Sequence, residues 1–374
     1  MTAILPSEPP EARPWSPLHE RLHRELRRRP ALLPAGEQLL LAVSGGQDSM
    51  ALTQLLLDLR RLHGWTLLLW HGDHGWRSGS AAQAEDLHHW AVAAGLEMRI
   101  DRAVTGACSE AEARRWRYER LAHQAAALGC RRVVTGHTAD DRAETLLLHL
   151  ARGAHIRGLS SLRRSRPLVS AAGLVPCAAP DLPATDSGSA IPDPLLLVRP
   201  LLGVSRAETG AFCANRLLPV WLDPSNESLD FSRNRVRHQV LPVLEELHPG
   251  ASRRLAALSE RLEEEGHPLE ELLPLALGAL QSKTGALGLQ RQGLMAVSAA
   301  SQRQLLAAWL RLQGGQALAA LELEDLRQRL QAGAGPGSLD LPRGWRLSWD
   351  RMELRLQPPP AERRPASRPE QSED

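Results

Sequence analysis

Lysine is almost missing from this 374-residue chain: of 45 Lys plus Arg residues, Lys283 alone is a lysine. A Walker loop or a Schiff base places a lysine ammonium at the reacting group, so either chemistry has the single candidate Lys283, in the glycine-flanked run QSKTG. Cysteine is scarce too. Cys108, Cys130, Cys177 and Cys213 are scattered without a CxxC spacing, which argues against a zinc ribbon, an iron–sulfur cluster and a thioredoxin motif; they read as reduced and structural. Aromatic residues make up 3%, and ten of them are Trp, so Leu and Ala must fill most of the interior, and both favour helix. No run approaches ~18 consecutive apolar residues, and the N-terminus MTAILPSEPPEARPW carries Pro and Glu where a secretion signal needs an apolar stretch. These absences predict a soluble, cytoplasmic protein that does not engage a membrane. The net charge of +2 is too mild to prove a polyanionic partner, so the placement of arginine matters more than its total.

What is present is globular: 43% apolar and 24% charged residues over a length that predicts two or three structural units. Residues 1–36 read as an N-terminal extension, an appendage with a short basic helix over 16–29. From residue 37, short apolar runs (38–43, 66–70, 96–101, 131–135) alternate with helical stretches (49–63, 79–94, 109–129 and one beginning near Asp140). That alternation predicts an α/β domain with a doubly wound parallel sheet over 37–250, whose ligands bind at the carboxyl ends of the strands. Residues 165–194 are rich in Pro, Ser and Ala without periodicity and read as a long loop or insertion. A small all-helical domain is expected over 251–337, with helices at 251–265, 268–281, 298–313 and 317–332, then a short β segment at 338–357 and a disordered tail at 358–374.

The strongest chemical signal is LLLAVSGGQDSM at 39–50. An apolar strand, two glycines and a helix start make an anion site, because backbone N–H groups at Gly45 and Gly46 and the helix dipole point at phosphate while Ser44 and Ser49 donate hydroxyls. Gln47 lies in the same turn. The loop has no Walker lysine and carries Asp48 instead, which suggests a bridging metal ion. HGDHGWR at 71–77 offers His71, Asp73 and His74 to nucleotide or metal, although a polar turn capped by Asp73 explains it equally well. On SEAEARRWRY, Arg114 and Arg117 share a helix face suited to phosphate, or to pairing with Glu110 and Glu112 at a solvated surface; Tyr118 reads as core. In TGHTADDRAETLLLHLARG, His137 ends a strand, and Asp141 and Glu144 follow on the first helical turn, able to face nucleotide or magnesium. Thr138 as an N-cap with acidic followers is the bland alternative, which the position at a strand end opposite the glycine loop disfavours. Two basic runs complete the set: Arg152, Arg157, Arg163, Arg164 and Arg166 in one, Arg233, Arg235 and Arg237 in the other. Such runs bind RNA phosphates or simply face water.

SGGQDS closely resembles the PP-loop of the ATP-pyrophosphatase superfamily. Together with DHGWR, EARRWRY, TGHTADDRAETLLLHLARG, RPLL and DPSNESLDFSRNRVRHQVLP, in this order over 38–250, the chain resembles the tRNA(Ile)-lysidine synthetase family. Residues 1–36 and 165–194 read as additions to that pattern, and Thr138 stands where the family usually has a second histidine. The resemblance implies a carbon–nitrogen ligase. ATP activates the carbon-2 oxygen of the wobble cytidine in the tRNA(Ile) with a CAU anticodon, and the ε-amine of L-lysine displaces AMP. It implies ATP and Mg2+ as cofactors, with Ser44 to Ser49 on the phosphates, Asp48 and Asp141 near the metal, His137, Asp141 and Glu144 in the ATP and lysine pocket, and Arg114 and Arg117 on nucleotide or cytidine. A homodimer is an open option. Two alternatives stay in view: another PP-loop tRNA-modifying enzyme such as a thiolase, and a nucleotide- and RNA-binding module without turnover.

Overall fold

Leu39, Leu40 and Leu41 have no exposed surface, as expected of a strand covered on both faces by helices. This strand, β1 (Gln38–Ala42), is central in a six-stranded sheet. The computed structural model describes residues 15–75, 79–103, 110–154, 156–160, 162–170, 173–174, 194–221, 228–283, 285–331 and 335–359, divided into two compact units at Glu263/Glu264.

The first unit runs α1 (Pro17–Arg28), β1, α2 (Gln47–His63), β2 (Thr66–Asp73), α3 (Ser80–Ala93), β3 (Glu97–Arg102), α4 (Glu110–Ala127), β4 (Arg132–Thr135) and α5 (Ala139–Ala151). The short elements α6 (Ile156–Leu159), β5 (Ser165–Pro167), β6 (Val169–Ser170), β7 (Gly173–Leu174) and β8 (Leu196–Val198) follow, then α7 (Arg206–Asn215), α8 (Ser232–Arg235) and α9 (Leu241–Leu247). The sheet order is β3-β2-β1-β4-β8-β5; all neighbours are parallel except β5, which runs antiparallel to β8. Register pairs Leu41 with Leu69 on one side and with Val134 on the other. The chain leaves β1 toward β2 on one side and reaches β4 on the other, so the carboxyl ends of β1 and β4 flank the topological switch point, where open α/β sheets bind ligands.

Sequence expectation and structure differ at several places. The N-terminal extension is not an appendage. Leu18, Leu22 and Leu26 of α1 are buried in the same core as α2, and His19 pairs with Asp58 of α2 at 2.9 Å. The segment from 165 begins as strand β5 rather than loop, because Ser165–Pro167 completes the sheet edge beside β8; residues 175–193 lie outside the described residues, as do 1–14, 222–227 and 360–374. The helices expected at 251–265 and 268–281 are one, α10 (Ala251–Ala279), which runs through Gly266 and Pro268. Local breaking signals lose there to burial at both ends, Ser259 in the first unit and Leu273 and Leu277 in the second. The boundary expected at 250 falls one residue before α10, whereas the division lies inside that helix, at Glu263/Glu264.

The second unit is not all helical. After α10 come β9 (Gln281–Ser282), β10 (Gly285–Gln290), α11 (Arg291–Met295), α12 (Ala299–Gly314), α13 (Ala320–Arg329), β11 (Gly337–Asp340), β12 (Arg346–Trp349) and β13 (Glu353–Gln357). The segment expected as a separate β hairpin or meander instead joins β10 and β9 in one sheet, ordered β11-β12-β13-β10-β9. Trp309 of α12 and Leu347, Leu354 and Leu356 of the sheet share its core. No helix among the described residues is long and apolar enough to cross a membrane.

Candidate active site

The glycine loop turns where only glycine fits easily. Gly45 has φ +86°, a left-handed conformation that costs a side-chain-bearing residue. Gly46 then occupies the N-cap of α2 and has no side chain to cap the first turn, so the helix presents its N–H groups and positive dipole end to the loop. Ser49 closes the turn: its Oγ donates to the Gly46 carbonyl at 2.9 Å, accepts from the Ser44 N–H at 3.2 Å and lies 3.2 Å from Ser44 Oγ. The loop is buttressed from outside. Gln83 of α3 donates to the Ser44 carbonyl, and the Trp221 N–H donates to the Gly45 carbonyl at 3.0 Å.

The end of β4 packs tightly on this loop. A Cβ on Gly136 would meet the Asp48 carbonyl oxygen at 2.9 Å and Ser49 Cα at 3.0 Å. Glycine here lets the β4–α5 turn touch the backbone of α2. His137 follows and shares a 2.9 Å hydrogen bond with Thr135 Oγ1. Burial pushes its pKa down to about 3, Asp141 opposes this, and Arg199, Arg233 and Arg114 add to it; the ring is therefore neutral at working pH.

Gln47 and Asp48 are held by α7. Gln47 Nε2 donates to the Arg206 carbonyl at 2.8 Å, turned toward α7. Asp48 Oδ1 accepts from Thr209 Oγ1, and Oδ2 lies 3.5 Å from Arg206 Nε. Burial raises the Asp48 pKa, with Arg206 and Thr209 working against it. Asp140 accepts from the Arg206 N–H at 2.8 Å, so α5 also seats α7. Thr209 and Arg206 escaped the sequence reading, although Ser205 and Glu208 form a capping box, a spacing that marks a helix start.

Asp141 and Glu144, one helical turn apart, face Arg233 and Arg237, four apart on the segment that enters a π turn at Val236–Val240. Glu144 has no exposed surface; its carboxylate accepts from Arg233 Nε at 2.7 Å and from Arg237 Nε at 2.6 Å. Asp141 accepts from Arg233 Nη2 at 2.8 Å and from the Thr138 N–H at 2.8 Å. Thr138 is the N-cap of α5 with Asp141 closing its capping box, so the capping role read from the sequence is present, and Asp141 also belongs to the acidic pair. Arg233 and Arg237, read from the sequence as RNA contacts, are the counter-ions of this acidic pair; Arg235, between them, is exposed.

The other basic run divides in the same way. Arg152 is exposed, Arg164 is bonded to Glu260 at 2.8 Å, Arg163 lends its carbonyl to Arg199, and Arg166 lies over Tyr118. Of Arg157 only the backbone is described. On α4, Arg117 Nη2 lies 3.2 Å from His74 Nε2, and Arg114 stacks over the Tyr118 ring at 5.0 Å. His74 is held down at about 4, chiefly by burial and next by Arg117. His71 bonds to the Val43 carbonyl, and Asp73 accepts from the Gly75 N–H: structural roles for both, while Trp76 and Arg77 lie outside the described residues. Among the described residues no three His, Cys, Asp or Glu side chains gather as a metal site, and Cys130 and Cys213 are buried thiols outside any disulfide.

Residues 18–244 match the family described as the PP-loop domain. The tRNA(Ile)-lysidine synthase of Parasynechococcus marenigrum (strain WH8102) is 52% identical over 353 residues, covering 94% of this chain and 98% of that protein. That of Synechococcus sp. (strain ATCC 27144 / PCC 6301 / SAUG 1402/1) is 42% identical over 328 residues, covering 88% and 93%. Among solved structures, the U34-tRNA thiolase NcsA from Methanococcus maripaludis with its [4Fe-4S] cluster superposes with a TM-score of 0.50 at 17% identity, covering 66% of this chain and 78% of that one, a likeness of fold. With a relative 52% identical over 94% of its length, the chain belongs to the tRNA(Ile)-lysidine synthase family, built on a PP-loop domain.

Proposed function

We propose that the chain joins L-lysine to carbon 2 of the wobble cytidine of the tRNA(Ile) with a CAU anticodon, through an adenylated tRNA, releasing pyrophosphate and then AMP. The observation that carries this reading is the lysine-free glycine loop at the switch point, with the acidic turn of α5 beside it, in a chain of this family. Ser44, Gly45, Gly46 and Ser49 take the phosphates of ATP by N–H and hydroxyl donation, without a Walker lysine. Asp48, anchored by Thr209 and Arg206, offers one carboxylate at the loop's edge. That donor set fits Mg2+ arriving on the nucleotide, since this ion is usually held by one or two carboxylates plus substrate phosphates; when bound it supplies charge neutralisation of the leaving pyrophosphate.

His137, neutral, serves as a hydrogen-bonding partner rather than a cation. Asp141 and Glu144 receive the lysine ammonium, which shares these carboxylates with Arg233 and Arg237. A cytidine carbonyl is a poor electrophile until its oxygen becomes a leaving group, so adenylation precedes amine attack. The amine, with a free pKa of ~10.4, must shed a proton in the site before it attacks. Positioning and charge stabilisation supply most of the rate, because the protein has little covalent work to do. Exposed arginines such as Arg152 and Arg235 contact RNA phosphates.

The test uses [α-32P]ATP, Mg2+ and the tRNA precursor without lysine. Label is expected on the tRNA; adding lysine should release it as AMP, and adding arginine should not. Formation of ADP, or label on lysine in the absence of tRNA, would replace this reading with a kinase or an amino-acid-activating ligase.

A further inference from the structure

Tyr118, the chain's only tyrosine, stands among three guanidiniums from three elements. Arg114 of α4 lies 5.0 Å from its ring centroid and Arg166 of β5 5.1 Å, and the charge of Arg199, which follows β8, also acts on its phenol. Like charges gathered this closely repel unless something negative offsets them. Elsewhere in this unit the fold supplies carboxylates: Arg142 and Arg164 have Glu260 and Glu263, and Arg233 and Arg237 have Asp141 and Glu144. Among the described residues none of Arg114, Arg166 and Arg199 forms an ion pair with a carboxylate.

Arg199 is the most telling of the three. It is 1% exposed, its Nη1 donates to the Arg163 carbonyl at 2.7 Å, and its buried Nε has no partner. Burial pulls its pKa down to about 10, against the pull of Tyr118. Burying a guanidinium without a counter-ion is costly, because desolvation of the charge goes uncompensated. A phenol gives the cluster an acceptor and a π face without a full negative charge, so the three cations are held in place while their net charge survives. A carboxylate at position 118 would have cancelled it. The cluster borders the end of β4, since Val198 pairs with Val134 and Arg199 follows directly, and Arg114 opens it to solvent.

We infer that Arg114, Arg166 and Arg199 form a seat for a phosphoryl group at the carboxyl end of the sheet, across β4 from the glycine loop, with Tyr118 as the residue that positions them. The inference deepens the proposed reaction, on which it rests for the source of the phosphate: the leaving pyrophosphate of ATP, or a phosphodiester of the RNA. Guanidinium forks suit either, by paired N–H donation to two oxygens.

The experiment compares full-length wild type with Tyr118→Phe and Arg166→Ala. Tyr118→Phe keeps the ring and loses only the hydroxyl, and Arg166 is only partly buried on an edge strand, so both variants should keep the fold, as circular dichroism and the urea midpoint will report. Two binding readouts need no turnover: the competition of inorganic pyrophosphate against labelled ATP, and the salt dependence of tRNA retention on filters. A pyrophosphate seat predicts pyrophosphate binding weaker by about tenfold in both variants. An RNA seat predicts unchanged pyrophosphate binding and a log–log salt slope reduced by ~0.7–0.9. Unchanged values in both readouts, in folded variants, would overturn the seat. Failure of the wild type to form lysidine, with either binding effect intact, would sink the reaction and leave the seat standing.

Discussion

Gly136→Ala tests how closely the end of β4 must approach the phosphate loop. The added methyl would stand 2.9 Å from the Asp48 carbonyl oxygen, 3.0 Å from its carbon and 3.0 Å from Ser49 Cα, where ordinary contact begins at 3.4 Å. All three atoms are backbone within the first turn of α2, so no side chain can swing away. The clash is relieved only by moving the β4–α5 turn and the loop apart, by roughly half an ångström. Overpacking of this kind costs about 1–3 kcal/mol, which should lower the urea midpoint of the first unit. The same shift moves His137 and Asp141 away from Ser44 and Ser49. As a displacement of about 1 Å can cost ~10²-fold in rate, half of that predicts a loss on the order of tenfold in lysidine formation at saturating ATP. The assay pairs urea unfolding with a nucleoside digest of the tRNA product. Wild-type rate and midpoint in Gly136→Ala would refute the claim that this contact sets the distance between the two strand ends.

Asp48→Asn should reduce modification by on the order of 10²-fold while leaving the unfolding midpoint nearly unchanged, because burial already raises the Asp48 pKa and makes its charge costly to the fold; full activity would remove Asp48 from the reaction. Arg164→Ala should destabilise by about 1.5–3 kcal/mol, since it releases Glu260 and Glu25, with the salt slope of tRNA binding unchanged. Arg152→Ala and Arg235→Ala should each lower that slope by ~0.7–0.9 without destabilising, and the opposite pattern would show that exposure does not separate the RNA contacts from the structural arginines. Acid should weaken the first unit in two stages. Burial holds the His137 pKa down to about 3 from 6.5, so its unfolded form binds the proton first and stability falls as pH drops below 6.5. Glu260, pushed up by burial but held at about 2 by Arg164, Arg29 and Arg142, contributes fully above its ordinary 4.5 and loses that contribution as pH falls toward 2. Urea midpoints from pH 7 to 3 should decline throughout, and Glu260→Gln should flatten the lower stage; a flat profile would contradict both assignments.

The sequence by itself determined the frame of the site. Leu39, Leu40 and Leu41 mark a strand buried on both faces, Gly45 and Gly46 mark a turn that bares N–H groups, and the alternation up to residue 151 sets the order of strands and helices, because period and turn chemistry are local properties. Where neighbours decide, local pattern misleads. The basic helix α1 reads as an appendage until Leu18, Leu22 and Leu26 are seen in the core, and Gly266 and Pro268 read as a break until burial carries α10 through them. Only the tertiary structure decided what each arginine does. Arg233 and Arg235 are two positions apart and look alike in the sequence, yet one closes on Glu144, which is 89 residues away, and the other faces water. Arg164 and Arg166 are equally close, yet one meets Glu260 and the other the face of Tyr118. A guanidinium's role is fixed by the charge that meets it, and whether that is a carboxylate, a π face or solvent depends on contacts that the fold makes across tens of residues.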